Sequence, residues 1–420
     1  MKKLYDVTFT FDPKDYEQVL QDRELNGVGL LGSFCFYKSG LTGNTDETGM
    51  VDCDEYFGPA DYREDLDNIG HNYYQAMEKQ EDGTYALTLK LPANLYQYNF
   101  VINPVTAVRV QANPADFRSG MVNVLSDRGE IALMTMKTRF QPDPELGFIV
   151  KDVKHDDKTP TLGGYQNGSM IYVGEASEHS WLPIADETKK GIVTYQAYTD
   201  IDGVPRTFGV YLPAGYDRTK TYPLIVVSHG GGGNESDWVW QGGINNIMDN
   251  LIAEGKTKEA ILVFPSNAVY IGTSPIDWLF EKIARNTEEC ILPLVEKIYS
   301  VSKDVKDRAF CGLSMGSMTT LYMYYHRTSV YQYYGAFSGG IAPGHPAYDI
   351  SAEGLKDVTL MIGSAEEDIA YNQNPNGVPP TIRALQAAGL PIIPWFSTAS
   401  HDWYCWPQMF EHFAEYILWK

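Results

Sequence analysis

The stretch Arg308-Ala309-Phe310-Cys311-Gly312-Leu313-Ser314-Met315-Gly316-Ser317-Met318-Thr319-Thr320 decides the fold of this chain. Its centre, Gly312-Leu313-Ser314-Met315-Gly316, fits the pattern G-x-S-x-G. In that pattern the serine projects from a sharp strand-to-helix turn in a strained conformation. A side chain at Gly312 or Gly316 would collide with neighbouring backbone, so both positions are small. The helix N-terminus beneath Ser314 favours developing negative charge. In a chain with 38 glycines the five-residue pattern alone is weak. A short apolar strand before it and a helix through Thr319 to Tyr325 after it make it specific.

Working outward, residues from about 191 alternate between strands and helices. Thr207–Leu212, Leu224–Val227, Ala260–Phe264, Val358–Ile362 and Ile392–Phe396 read as strands. Ile244–Ala253 and a long run from Trp278 to Tyr299 read as helices. The alternation predicts an α/β fold with a mostly parallel sheet and helices on both faces. His229-Gly230-Gly231-Gly232-Gly233 follows directly on a buried strand. A glycine loop there lets backbone N–H groups approach an oxyanion, with Gly231 and Met315 as the two donors. A phosphate loop would end in Gly-Lys-Ser/Thr, and none does.

Of the eight histidines, only His326, His345, His401 and His412 follow Ser314. His326 lies on the helix after the elbow, His412 in a terminal amphipathic helix, and His345 too close to Ser314 to leave room for an acid. His401 follows a strand and precedes the last helix, which fits a general base for Ser314. The acid is sought after Gly363 among Glu366, Glu367 and Asp368. Asp368 is favoured; Asp402, adjacent to His401, is poorly placed to reach the imidazole.

The first 125 residues read as all-β. Val7, Phe9 and Phe11 alternate with threonines, and a strand follows from Val28 to Phe36. Tyr85, Leu87, Leu89 and Leu91, then Tyr96, Tyr98, Phe100 and Ile102, suggest two arms of a hairpin turned at Pro92-Ala93-Asn94. Residues 38–70 read as a long irregular loop. The run from Asp82 to Tyr98 resembles the immunoglobulin-like modules that precede some carbohydrate-active enzymes. Relatives of that module bind glycans on exposed tryptophans. Here no Trp precedes Trp181, which leaves Tyr37, Tyr56, Tyr73 and Tyr74 as stacking platforms. The expected division is a sandwich at 1–125, a connecting segment at 126–190 with one strand at 131–136, and a catalytic domain at 191–420.

Tyr222-Pro223-Leu224, His229-Gly230, Asp237-Trp238, Asp249 to Gly255, Gly312 to Gly316 and His401-Asp402-Trp403 together resemble carbohydrate esterase family 1, particularly the feruloyl esterase domains attached to xylanases. The resemblance covers residues 222–420. It implies an α/β-hydrolase fold and hydrolysis of feruloyl or acetyl esters on plant polysaccharides or oligosaccharides. The family's nucleophile maps onto Ser314, its base onto His401 and its acid near Asp368, with Glu366 still open because the spacing from Gly363 is stretched. Ser317 stands where a second glycine is common. Among the tryptophans of this half, Trp238, Trp278 and Trp403 are the candidate substrate-binding residues.

Composition sets the remaining bounds. The net charge of −21 opposes nucleic acid and anionic membrane surfaces. Five scattered cysteines without a CxxC pair argue against a disulfide framework or a zinc site, and Cys290 and Cys311 read as core. No metal or organic cofactor is implied, since a triad, an oxyanion hole and water suffice. No signal peptide or membrane span is visible, which reads as cytoplasmic, or as secreted if a leader has been removed. The competing functions are a siderophore-type trilactone hydrolase, an acyl transferase to sugar and, from another class, a non-catalytic glycan-binding protein.

Overall fold

Val7, Phe9 and Phe11 alternate with threonines because one face of their strand, Leu4–Phe11, turns toward a core. The computed structural model describes residues 3–21, 24–32, 50–52, 75–103, 107–111, 121–126, 131–135, 148–150, 169–174, 181–272, 276–365, 368–372, 377–397 and 401–420. Within the expected loop at 38–70, Met50–Asp52 is a strand rather than loop; the rest of 38–70, the polar stretch 154–168, Tyr37, Tyr56, Tyr73, Tyr74, Glu366 and Glu367 lie outside the described residues.

The chain divides into two units, Met1–Glu175 and Ala176–Lys420. In the first, Leu4–Phe11 pairs antiparallel with Tyr85–Pro92, which also takes Glu78–Lys79. A second sheet is built on Asn94–Ile102, flanked by Val28–Gly32 on one side and by Phe148–Val150 and Ser169–Val173 on the other. A four-stranded sheet holds Ile131–Thr135, Met121–Ser126, Ala107–Gln111 and Met50–Asp52. The first two sheets share one aromatic core. Phe9 meets Tyr98 edge-on at 4.8 Å, and Phe11 meets Phe100 at 5.3 Å.

Two expectations are corrected here. Tyr85–Pro92 and Asn94–Ile102 are not a hairpin: they pair with different strands, and the chain steps from one sheet to the other at Ala93. Alternation records which face of a strand is buried, not which strand it pairs with. The unit also runs on to residue 175, past the expected limit at 125, because Ser169–Val173 completes the sheet around Asn94–Ile102.

The second unit is an eight-stranded sheet. Its strands are β1 (Ile192–Thr199), β2 (Pro205–Leu212), β3 (Leu224–Ser228), β4 (Ile261–Pro265), β5 (Arg308–Leu313), β6 (Tyr333–Phe337), β7 (Thr359–Ala365) and β8 (Ile392–Ser397), in spatial order 1-2-4-3-5-6-7-8. β1, β2 and β4 pair antiparallel; every other neighbour pair is parallel. β3, β4 and β5 are buried along their whole length. Their unbroken apolar runs are what a parallel sheet covered on both faces requires. The covering helices are α1 (Ile244–Ala253), α2 (Ile276–Arg285), α3 (Leu292–Ile298), α4 (Met315–His326), α5 (Val378–Ala387) and α6 (Cys405–His412).

The long helix expected from Trp278 to Tyr299 contains a π-helical turn, Asn286–Ile291, between α2 and α3. Pro293 has no N–H for the carbonyl one turn back, and a widened turn relieves the clash of its ring. The turn carries Asn286 inward. There its amide donates to the Tyr198 hydroxyl (3.0 Å), and its oxygen accepts from the Ile201 N–H (3.2 Å). Cys311 is buried as expected, whereas Cys290 is only half-buried.

Parallel strands point their C-terminal ends one way. The chain leaving β3 at His229, β5 at Ser314, β7 toward Asp368 and β8 toward His401 therefore emerges on one edge of the sheet, where such folds hold ligands.

Candidate active site

Ser314 sits between β5 and α4 with φ +54°, a region that non-glycine residues rarely occupy. Its N–H donates to the Phe337 carbonyl at 2.8 Å, tying the turn to β6. The flanking glycines are demanded by backbone. A Cβ on Gly312 would stand 2.6 Å from the Ser228 carbonyl oxygen. One on Gly316 would stand 2.5 Å from that oxygen and 2.7 Å from that of His229. Gly339 likewise lies against the Ser314 carbonyl. Ser317 is accommodated because its hydroxyl donates to the Gly339 carbonyl at 2.9 Å.

His401 Nε2 lies 3.0 Å from Ser314 Oγ, and His401 Nδ1 lies 2.8 Å from Asp368 Oδ1. Asp368 is wholly buried, while His401 and Ser314 keep partial access to the outside. Burial pushes the Asp368 carboxyl up most, but the hydrogen bond and charge of His401, with bonds from Ser338 and the Ala370 N–H, together outweigh it, and the acid stays below its ordinary range. The Ala370 N–H donates to Oδ1 at 2.7 Å. Asp402 instead anchors the start of α6, where its Oδ1 accepts from the Tyr404 and Cys405 N–H groups, both at 3.0 Å.

The glycine loop borders the serine. A Cβ on Gly230 would come within 3.3 Å of Ser314 Cβ and 2.7 Å of Leu313 Cδ1, whereas one on Gly231 would meet nothing within 4 Å. Among the described residues, neither the Gly231 nor the Met315 N–H has a backbone or side-chain acceptor. Two amides thus remain for a developing oxyanion. His229 beneath the loop is buried, and burial pulls its imidazole down to about 4.

The three candidate tryptophans part company. Trp238 is only 1% exposed, its indole N–H donates to the Ser228 carbonyl at 3.0 Å, and its ring meets Trp403, Phe410 and Phe337. Trp238 is therefore core rather than a substrate contact: an indole beside a catalytic loop either faces the cleft or supports the loop from behind, and sequence does not distinguish the two. Trp403 is half-buried between Trp238 and Trp406. Trp278, at 60% exposed on the first turn of α2, is free to meet a ligand. Trp406, one of the tryptophans of this half but not among the three singled out for substrate binding, stands edge-on against His401 at 5.1 Å. It lies on the first turn of α6, five residues past His401.

Residues 201–376 match the family described as "Putative esterase". The chain is 32% identical over 235 residues to an endo-1,4-beta-xylanase/feruloyl esterase of Xylanibacter ruminicola, an alignment covering 53% of this chain. It spans only 30% of that relative's length. The CE1 ferulic acid esterase AmCE1/Fae1A of the anaerobic fungus Anaeromyces mucronatus superposes with a TM-score of 0.50 at 25% identity, covering 56% of this chain and 94% of its own. The enterobactin esterase FES of Shigella flexneri covers 97% of this chain and 91% of its own with a TM-score of 0.54 at 13% identity, a likeness of fold alone. Among the described residues no helix is long and apolar enough to cross a membrane. With its 1-2-4-3-5-6-7-8 sheet the second unit has the α/β-hydrolase fold, and its matched segment is similar to the putative-esterase family and to feruloyl esterases.

Proposed function

We propose that this protein hydrolyses carboxylic esters through an acyl-enzyme on Ser314, and that its substrates are feruloyl or acetyl esters of plant polysaccharides or their fragments. The observation that carries the reading is the unbroken line Ser314 Oγ, His401 and Asp368 Oδ1, with separations of 3.0 and 2.8 Å, at a strained elbow. Ser314 Oγ attacks the ester carbonyl as His401 Nε2 takes its proton. Asp368 holds the Nδ1–H tautomer and stabilises the imidazolium. The Gly231 and Met315 amides receive the oxyanion. The imidazolium returns the proton to the leaving alcohol, and water then repeats the sequence to free the acid.

The feruloyl or acetyl assignment draws on the likeness to feruloyl esterases over the second unit. Trp278 is the exposed aromatic surface for a phenolic ring or a sugar. The test is hydrolysis of methyl ferulate and p-nitrophenyl acetate side by side, with Ser314→Ala as control. Both esters should be cleaved, and the variant should lose at least about a thousandfold in kcat. Full activity in Ser314→Ala would sink the mechanism; acetate cleavage alone would remove the feruloyl assignment. A second reading, hydrolysis of catecholate trilactones, has behind it only a likeness of fold, though one that extends over nearly the whole chain. Preference for a trilactone over methyl ferulate in the same assay would select it.

A further inference from the structure

His229 is a buried histidine that the triad does not use, and both of its ring nitrogens are engaged. Nε2 lies 2.9 Å from the Asn267 backbone nitrogen, which can only donate, so Nε2 is the bare nitrogen. The proton therefore resides on Nδ1, which donates to the Gly230 carbonyl at 2.7 Å. That carbonyl takes a second bond from the Gly233 N–H at 3.2 Å. The Gly230 carbonyl and the Gly231 N–H belong to one planar trans peptide and point in opposite directions. Holding the oxygen against the buried ring turns the N–H to the other side, away from the interior. Gly230 lies against Ser314 Cβ, and the space beside Gly231 is open.

We propose that His229 is a positioning residue for the oxyanion hole: its neutral imidazole clamps the Gly230 carbonyl and thereby fixes the Gly231 amide in its donating orientation. The proposal rests on the serine esterase reading. His229 cannot act as a second base, since it is buried and neither nitrogen is vacant. Its neighbours are equally fixed. Asn267 Nδ2 donates to Ser228 Oγ at 2.9 Å, holding the end of β4 to the end of β3. Gly233 has no room for a side chain, because the Asp237 carboxylate and the His229 ring occupy the place of its Cβ. The clamp thus spans both strand ends that border the loop, and it leaves no second orientation for the peptide.

Two substitutions separate the two nitrogens. His229→Gln keeps an acceptor near the place of Nε2 but offers no donor to the Gly230 carbonyl. His229→Asn puts an amide N–H near the place of Nδ1. The full chain is assayed with p-nitrophenyl acetate for kcat and KM, and with phenylboronic acid as a tetrahedral adduct on Ser314. The Gln variant should lose about a hundredfold in kcat, with KM within about threefold, and phenylboronic acid affinity should fall in parallel. The Asn variant should recover at least about tenfold of that kcat. A Gln variant within about threefold of the parent in kcat, or an Asn variant as impaired as the Gln variant, overturns the proposal. If the Gln variant does not fold by circular dichroism, the Asn variant decides. Phenylboronic acid affinity within about tenfold of the parent supports the clamp, and a larger loss refutes it. A parent chain that does not cleave p-nitrophenyl acetate, or that Ser314→Ala does not impair, instead refutes the esterase reading, and the clamp falls with it.

Discussion

Trp238 and Trp278 sit at opposite extremes of exposure, so their loss separates packing from binding. Trp238→Ala removes a fully packed indole and its bond to Ser228, and should cost about 3–5 kcal/mol in urea unfolding. Trp278→Ala should change stability by less than about 0.5 kcal/mol. Its expected signature is a raised KM for a feruloylated oligosaccharide. Equal stability losses in the two variants would contradict this division. Asp237 offers a second test. Burial raises its carboxyl to about 7, with the Asn234 N–H at 3.1 Å and the charge of Glu235 acting in opposite senses. The folded state then holds the proton more tightly than the unfolded chain. The cost of burying the carboxylate is absent below about pH 4, grows between about pH 4 and 7, and is constant above that. Asp237→Asn should therefore gain stability over the parent at about pH 8, by a few kcal/mol at most, and gain nothing at about pH 4. At this scale chain order and the need for a loop after a strand made His401 legible, whereas for the acid they narrowed the choice only to Glu366, Glu367 and Asp368, with Asp368 favoured. Trp238 and Trp406 were not legible, since hydrophobicity does not tell a cleft wall from the core behind it.

The elbow is an element-scale device: β5 and α4 meet through glycines that lie against the end of β3. Gly316→Ala places a Cβ against two backbone oxygens, neither of which can rotate away. The elbow must shift, at a stability cost of about 1–3 kcal/mol. Labelling of Ser314 by a fluorophosphonate should slow by at least about a hundredfold, because a small displacement ruins the attack geometry. Unchanged labelling would mean that the elbow tolerates the methyl group. The inner parallel strands β3, β4 and β5 were legible as apolar runs between turn residues. β1 and β6 were not read. β1 is largely half-exposed, and β6, Tyr333-Tyr334-Gly335-Ala336-Phe337, is five residues long with small residues at its centre. Only their partners in the sheet identify them.

On the scale of the whole molecule, each unit has its own hydrophobic core: one from Phe9 to Val173, the other from Tyr198 to Leu390. A fragment spanning residues 176–420 contains every strand of the eight-stranded sheet and every residue of the triad. Expressed alone, it should unfold cooperatively and cleave p-nitrophenyl acetate within about threefold of the full chain in kcat. Failure to fold would show that the units are thermodynamically coupled. The division at 175 escaped the sequence reading because the strand that completes the first unit, Ser169–Val173, lies about seventy residues beyond the strand it pairs with.

The step between sheets at Ala93 has a consequence for how the first unit is made. Among the described residues Leu4–Phe11 pairs only with Tyr85–Pro92, far along the chain. At about 5–20 residues per second, a ribosome needs roughly 4–16 s to supply that partner. For that interval Val7, Phe9 and Phe11 are an unpaired apolar strand. Closing so distant a pair is slow compared with closing a hairpin. The first unit should therefore be the slower to mature and the more dependent on chaperones, while the second can assemble much of its sheet from strands that are neighbours in the chain.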